Sequence, residues 1–593
     1  MSERPESERI IRIGGGSAFF IDSALAVPQL LGASVDYIIL DYLAEGAMGL
    51  LGRMRAADPA SGYPADFMDV HIGPQLAAIA AQGVRIVANA GGVNPAGLAA
   101  KLRARCTELG LALTVASIAG DDLFGRADAL RAAGTCDMAN GAPLPATGNN
   151  SINAYLGAFP IAAALGQGAD IVITGRVVDS ALALGPLIHE FGWGPHDFDR
   201  LAAGTVAGHL IECGAQATGG TFTDWAEVTG WANIGSPIAE CAADGSLVIT
   251  KPDGSGGLVS IGTVAEQLLY EVGDPQAYFV PDVTCDFTAV RLEQVGPDRV
   301  RVTGARGLPP TATLKACATF DDGWRATAYQ PIIGPDAVAR AHKQAAALFA
   351  RGRALLAARG LPDFRATAAV LIGAGEALGP RHFNGAAQEV VLKLVVDHDS
   401  PVGAGLFARE QLAAISAMSP GTSIGFGTQV APLAGLISFL IDKAAVMATI
   451  DLGNGVEPFA MPPVAGFDPA MIERPPVLPV PPVANGTATL EALAFARSGE
   501  KGETINIAVI ARDPVNLPAL RAALTPVAVA HWLAHLFPGD KDVTVFDVPG
   551  IAAINLVLGG ALPGGINAST RLDPAAKSVA QQLMAFPVAI RKA

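Results

Sequence analysis

Charge is scarce in this chain. Only 16% of its 593 residues are Asp, Glu, Lys or Arg, and the acids outnumber the bases 55 to 40, for a net charge of −15. So few bases exclude a nucleic-acid groove or a basic membrane-binding face, while leaving room for a local Arg/Lys pocket that holds an anion. Cysteine is equally sparse. Cys106, Cys136, Cys213, Cys241, Cys285 and Cys317 form no Cys-x-x-Cys pair. This suits reduced thiols in a cytoplasmic protein rather than a disulfide or zinc framework. The opening MSERPESERIIRI is charged and has no apolar signal core. The most apolar later run, 430–450, is interrupted by Pro432 and by Asp442–Lys443. A spanning helix needs about 20 largely uncharged residues, so no membrane span is expected and this run reads as a buried helix. Familiar catalytic signatures are missing too: there is no H-E-x-x-H, G-x-S-x-G or G-x-x-x-x-G-K-[ST].

What the chain has is apolar residues, 51% of the total, enough for a large core. A prior of about 150 residues per domain gives three or four domains. Short Ile/Val-rich runs at 9–22, 35–45, 84–95, 111–122 and 169–180 each end in small, polar or acidic residues. They alternate with Ala/Leu-rich stretches of helical length, such as 98–110. Runs of that length read as buried parallel strands, and the alternation as an α/β, Rossmann-like, mostly parallel sheet over 9–218. A helix is expected at 204–217. From 219 to 455 the pattern becomes α+β, with strands at 282–295, 298–307, 313–328, 367–380 and 389–398 and a long helix at 336–360. Nine prolines crowd 457–486, so 456–487 reads as an extended linker. Residues 488–593 read as a small α+β sandwich with strands at 489–497, 505–512 and 542–548.

Ligands of α/β sheets bind at the carboxyl ends of the strands. That places Gly14, Gly15, Gly16, Asp41, Glu45, Asn89, Asn94, Asp121, Asp122, Thr174, Arg176 and Asp179 around one crevice. The segment 173–181 ranks first. Arg176 offers a planar fork that matches a carboxylate or phosphate, and Asp179 an acid/base group; an internal Arg176–Asp179 pair is the plainer alternative. Clustered carboxylates such as Asp41, Glu45, Asp121 and Asp122 raise one another's pKa, which suits proton transfer. They also suit a divalent cation, but no spacing specifies a metal, and helix capping covers Asp121 and Asp122. Asn89 and Asn94 offer amides to a carbonyl, against the plainer reading of an Asx-turn. Asn140, Asn149, Asn150 and Asn153 crowd one stretch that reads as a polar loop, with Asn149 and Asn150 as substrate contacts. The Gly14–Gly16 run offers backbone N–H groups to a phosphate without the G-x-G-x-x-G spacing of nicotinamide binders. His71, His209 and Glu212, and Lys251 in a turn-rich loop, have ordinary structural readings. In the last domain Arg497, Lys501 and Arg571 stand in two Gly-rich loops and together suit an anion site.

Several of these stretches occur together in one family. IGGGSAFF (13–20), DYLAE (41–45), NAGGVNP (89–95), GNNSINAYLG (148–157), ADIVITGRVVDSAL (169–182) and GTVAEQLLYEVGDPQAYFVPDV (262–283) resemble the acyclic terpene utilisation proteins of the AtuA type. RSGEKGETINI (497–507) and GGINASTRLD (564–573) resemble the small domain often fused to them, with Glu500 where G-D-K-G is commoner. The resemblance spans the chain. It implies a role in breakdown of acyclic terpenes such as citronellol and geraniol, beside acyl-CoA enzymes and a biotin carboxylase, and assigns no catalytic residues.

The expectation is an enzyme of the hydratase or lyase type acting on a branched acyl-CoA thioester or related carboxylate, with CoA entering as part of the substrate. Asp41 and Asp179 would move protons, Asn89 and Asn94 polarise a carbonyl, and Arg176 bind the anion. The alternative is a non-catalytic binding or assembly subunit of an acyl-CoA carboxylase pathway. A nucleotide-dependent transferase using the glycine loops is a third reading. The Ala-rich apolar composition points to a homo-oligomer.

Overall fold

The computed structural model describes residues 9–423, 427–474 and 484–591. The short Ile/Val runs are strands because they are covered on both faces, a position that rewards branched side chains. They are β1 (Ile10–Gly15), β2 (Tyr37–Leu40), β3 (Arg85–Ala88), β4 (Val115–Ala119) and β6 (Ile171–Thr174), while β5 (Asn149–Ala154), between β4 and β6 in the chain, is rich in asparagine. Five pair in parallel in the order β1-β2-β3-β6-β4. Every residue of β2 and β6 is buried. Because β6 is inserted between β3 and β4, the strand order reverses there and opens a crevice at the carboxyl ends.

The sheet does not stop at residue 218. β7 (Ile238–Ala242) runs antiparallel to β1, and β8 (Leu247–Thr250) follows it. Arg299–Thr303 and Arg291–Gly296 extend that edge, while Ala448–Asp451 and Val456–Phe459 extend the other beyond β4, giving eleven strands. Conversely, β5 leaves the parallel sheet and pairs with the long strand Thr313–Ile333 through Ala316–Phe320. The stretch read as an asparagine-rich loop is thus largely a strand. The regions expected at 9–218 and 219–455 share both sheets.

The second sheet is antiparallel: Ala366–Ile372, Glu389–His398, Thr313–Ile333 and Thr428–Asp442. The helix Ala337–Ala358, with Gly360 at φ +63° just past its end, covers it. The 430–450 run, expected as a buried helix, is the edge strand Thr428–Asp442 followed by Ala448–Asp451. Alternation decides the matter. Leu433, Ile437 and Phe439 face inward while Leu440 is 56% exposed, and Pro432 sits where the register shifts, at a bulge beside Trp324. The helix expected at 204–217 runs Phe198–Ile211 instead, with a 3-10 turn at Gly214–Thr218.

The proline-rich stretch lies partly outside the described residues, at 475–483. Its first half lies against the body: Gly466 N donates to Pro310 O at 3.1 Å, Phe467 meets Phe279 edge-on, and Arg474 pairs with Asp274. Beyond it, Ala494–Lys501, Thr504–Ala511, Ala553–Gly559 and Asp542–Val548 form an antiparallel sheet of four strands with its own apolar core. The strand Ala553–Gly559 is a fourth, beyond the three expected from the sequence. Among the described residues, no helix is long and apolar enough to cross a membrane.

Candidate active site

The floor of the crevice is the end of β2. Asp41 is 7% exposed. Asn89, just after β3, donates from Nδ2 to Asp41 Oδ1 at 2.7 Å and accepts from Tyr42 N at 2.7 Å. Both ends of that amide are therefore used in aiming Asp41 rather than a substrate. Ser17 Oγ donates to Asp41 O at 3.0 Å. Burial, reinforced by the charge of Asp179, pushes the Asp41 carboxyl well above its usual range, against the pull of Arg176 and Asn89. Gly14 and Gly15 belong to β1, where both are buried. A Cβ on Gly15 would stand 2.0 Å from Ile211 O, and one on Gly14 would enter Leu30. Gly15 lets the helix Phe198–Ile211 lie close on the strand, Gly14 makes room for Leu30, and Gly16 N donates to Ile39 O. The run therefore does not open a helix as a phosphate loop would.

The wall is the turn after β6. Arg176, 3% exposed, donates from Nη1 to Asp179 Oδ1 at 2.6 Å and lies 4.2 Å above the Tyr155 ring. Its Nε is buried with no partner. Burial works against the guanidinium, but Asp179, Tyr155, Glu45 and Asp41 outweigh it and hold it charged. Asp121 fixes the turn by accepting from Arg176 N and Asn153 Nδ2, each at 2.8 Å. Burial lifts its pKa to about 6, yet those bonds make it a support. Gly175 is obligatory because a Cβ there would lie 2.3 Å from Asp121 Oδ1.

The opposite wall comes from the antiparallel sheet. Tyr155, directly after β5, donates its hydroxyl to Glu45 Oε1 at 2.5 Å, and Lys315 Nζ reaches the same oxygen at 3.1 Å. Glu45 starts the helix Glu45–Ala57, where the helix dipole favours a negative charge. Burial would raise its pKa, but Lys315, Lys501, Arg176 and Tyr155 together hold it well below the usual range. Cys317 Sγ lies 3.6 Å from Tyr155 Oη, and burial keeps it a thiol. Glu45, Met48, Ser151, Asn153, Tyr155, Arg176, Cys317 and Thr319 line a small cavity here. At the back, Glu212 meets His209 Nδ1 at 3.2 Å while its Oε2 is buried without a partner. Burial raises Glu212 against the influence of His209.

Other expected residues lie elsewhere. Asn94 caps the helix Pro95–Glu108, accepting from Gly97 N at 3.0 Å and donating to Ser61 O at 2.8 Å. Asn149 and Asn150 sit at the far end of β5, donating to Pro145 O and Asp321 Oδ1. Asp122 pairs with Arg55 at 2.9 Å. Lys251 closes its own loop onto Ser255 O and Asp298. His71 is buried beside Asp66, 3.7 Å away. Among the described residues, no three His, Cys, Asp or Glu side chains group as a metal site.

The three bases of the last domain diverge. Arg497 binds Gln216 Oε1 and Gly220 O over the Tyr270 ring. Arg571 donates to Leu536 O. Lys501 pairs with Glu271 at 2.8 Å, and its charge helps hold Glu45 low. Tyr155 and Lys315 were not among the expected site residues. The one available signal was a lone lysine in the apolar strand LKACATF; nothing local marks the tyrosine.

No curated protein and no solved structure compared with the chain matches it. Among protein families, residues 488–589 match the AtuA ferredoxin-like domain, which agrees with the small four-stranded sheet. Residues 11–452 match the acyclic terpene utilisation family protein AtuA, and they carry both walls of the crevice. By a match that spans most of its length, the chain belongs to the AtuA family of acyclic terpene utilisation proteins.

Proposed function

We propose that this protein is a hydratase or lyase acting on a branched acyl-CoA thioester, or a related carboxylate, in acyclic terpene breakdown. The observation that carries the reading is a buried carboxyl, Asp41, pushed well above its usual range by burial beside the part-buried Arg176–Asp179 pair. A buried carboxyl held above its usual range, beside a second carboxylate already paired with an arginine, is an arrangement that suits acid/base chemistry. In a dehydration, Asp179 takes the proton from the carbon beside the carbonyl. Arg176 holds the negative charge that builds on the carbonyl oxygen. Asp41 gives its proton to the departing hydroxyl, which leaves as water, and hydration runs the same steps backward. Asn89 keeps Asp41 aimed, and Glu45 and Tyr155 keep Arg176 charged and flat.

The test is turnover of branched 2-enoyl-CoA and 3-hydroxyacyl-CoA thioesters, followed by liquid chromatography and mass spectrometry. Asp41→Asn preserves the Asn89 contact and should slow turnover about a hundredfold without lowering the melting temperature. Unchanged turnover in that variant, or no turnover of any thioester by the parent, overturns the reading. A non-catalytic subunit has one observation in its favour, the exposed, adjacent Trp225 and Trp231 with ring centroids 6.3 Å apart. Capture of a carboxylase that is lost in Trp231→Ala but kept in Asp41→Asn would favour it.

A further inference from the structure

β5 and the residue after it bring Ser151, Asn153 and Tyr155 to one face, and pairing with Thr313–Ile333 sets Thr319 opposite Ser151 and Cys317 opposite Asn153. The helix Glu45–Ala57 lies hard against this pair of strands. A Cβ on Gly52 would stand 2.0 Å from Asn150 O, and one on Gly49 3.0 Å from Thr319 Oγ1. With Met48 and Arg176, these side chains line the small cavity of the crevice wall, which has room for about one water-sized group. Most of the polar atoms there are committed. Ser151 and Thr319 share a hydrogen bond at 2.7 Å, and Tyr155 donates to Glu45. Two are not. Arg176 spends Nη1 on Asp179 and Val177 O, but its Nε–H is buried with no partner. Asn153, only 2% exposed, spends Nδ2 on Asp121, but its Oδ1 is buried with no partner. Asp121 settles which way that amide lies: it is a carboxylate that also accepts from Arg176 N, so it meets the NH2 end. One lone donor and one lone acceptor thus belong to residues that border a single cavity, and each costs free energy while unmet.

We infer that this cavity is a hydroxyl subsite, in which an O–H of the substrate accepts from Arg176 Nε and donates to Asn153 Oδ1. A carboxylate or carbonyl oxygen would satisfy the first atom but set its lone pairs against the second, and an ammonium group would do the reverse. In so small a space the match is a single oxygen that both donates and accepts. Met48 and the Cys317 thiol give the carbon that bears it an apolar wall. The choice of substrate, a hydroxyacyl chain, rests on the hydratase or lyase reading, and Nη2 of Arg176 is left for the carbonyl oxygen of that reaction. Asn153 is then a binding residue that tells a hydroxyacyl chain from its deoxy counterpart, and Asp121 is the positioning residue that keeps its amide turned.

Calorimetric titration of the full chain with two matched pairs tests this. One pair is 3-hydroxy-3-methylbutyrate against 3-methylbutyrate. The other is the same two acyl groups as CoA thioesters, titrated into Asp41→Asn so that turnover is slowed. In at least one pair the hydroxyl compound should bind about tenfold tighter or more, because its deoxy counterpart leaves both buried atoms unmet. Asn153→Ala should reduce that ratio at least about fivefold. Ser151→Ala, which alters the same cavity without touching either lone atom, should keep it within about twofold. The ratio cancels any general weakening that comes from loosening the Asp121 turn. The inference falls if the parent's preference is below about tenfold in both pairs, which would leave the cavity to a structural water. It falls too if no probe binds, if Asn153→Ala keeps the ratio, or if Ser151→Ala loses it equally. Should Asn153→Ala fail to fold, the ratio in the parent decides. A hydroxyl preference in a protein inert toward every thioester would sink the catalytic reading alone, and turnover without that preference would sink the subsite alone.

Discussion

The crevice and the seam that docks the C-terminal domain each bury an arginine above a tyrosine ring. Arg176 lies 4.2 Å over Tyr155 and Arg497 lies 4.7 Å over Tyr270. Their partners differ. Arg176 faces the carboxylate of Asp179 and is held charged. Arg497 faces the neutral oxygens of Gln216 and Gly220, and burial lowers its pKa against the opposing charge of Glu266. In the crevice, charge is concentrated and one donor is left unmatched. In the seam, neutral amides join the domains beside the ion pairs Arg512–Asp224 and Lys501–Glu271: Asn506 donates to Leu269 O and Asn555 Oδ1, and Asn555 donates to Val272 O and Gly273 O. Buried charge with a spare valence suits a ligand, whereas matched amides suit a permanent joint.

The largest test of that contrast is Arg176→Met. It strips Asp179, Asp41 and Glu45 of their shared cation, and breaking a buried pair of this kind costs about 3–5 kcal/mol. Calorimetry should show a clear fall in melting temperature; a variant that melts with the parent would erase the distinction. Asn555→Leu comes next. It leaves two carbonyls and one N–H of the Asn506 amide unpaired in the seam, for a cost of about 2 kcal/mol, and the small domain should melt in a separate, earlier transition.

Glu266 gives a pH test of the seam. Burial lifts its pKa to about 7 from 4.5, against Thr223 and Arg497. The folded chain therefore favours the protonated form. The stability this contributes is fully present below pH 4.5 and is lost as pH rises through about 7. Glu266→Gln has no such group, so its urea midpoint should decline less than that of the parent between about pH 5 and 8. The smallest effect belongs to the surface pair Arg353–Asp363, with side chains 46% and 61% exposed. Arg353→Gln should change stability by less than about 0.5 kcal/mol, and a larger change would mean that surface charge matters more than the contrast allows.

The parallel strands were legible because burial on both faces leaves a plain mark, an uninterrupted Ile/Val run. Asp41 and Arg176 were legible for the same reason, as polar residues placed where such runs end. The edge strand Thr428–Asp442 was not. Its apolar residues on both faces imitate a buried helix, and only its pairing partner, more than a hundred residues earlier, settles the question. Asn94 follows the same strand-end rule as Asn89 but is spent on a cap, since a side chain that reaches its own backbone competes with one that reaches a ligand. Tyr155 and Lys315 were hidden because their importance comes from β5 crossing between sheets, which no local pattern announces.

That crossing also bears on how the chain is made. The partners of β5 begin 162 residues after it ends, from Ala154 to Ala316. At ordinary rates of synthesis, the strand must wait on the order of ten seconds for the segment that will pair with it. An apolar strand left bare for so long invites pairing with the wrong chain. β5 reads Asn-Asn-Ser-Ile-Asn-Ala, and its amides keep the waiting edge wetted until the strand that completes the crevice arrives.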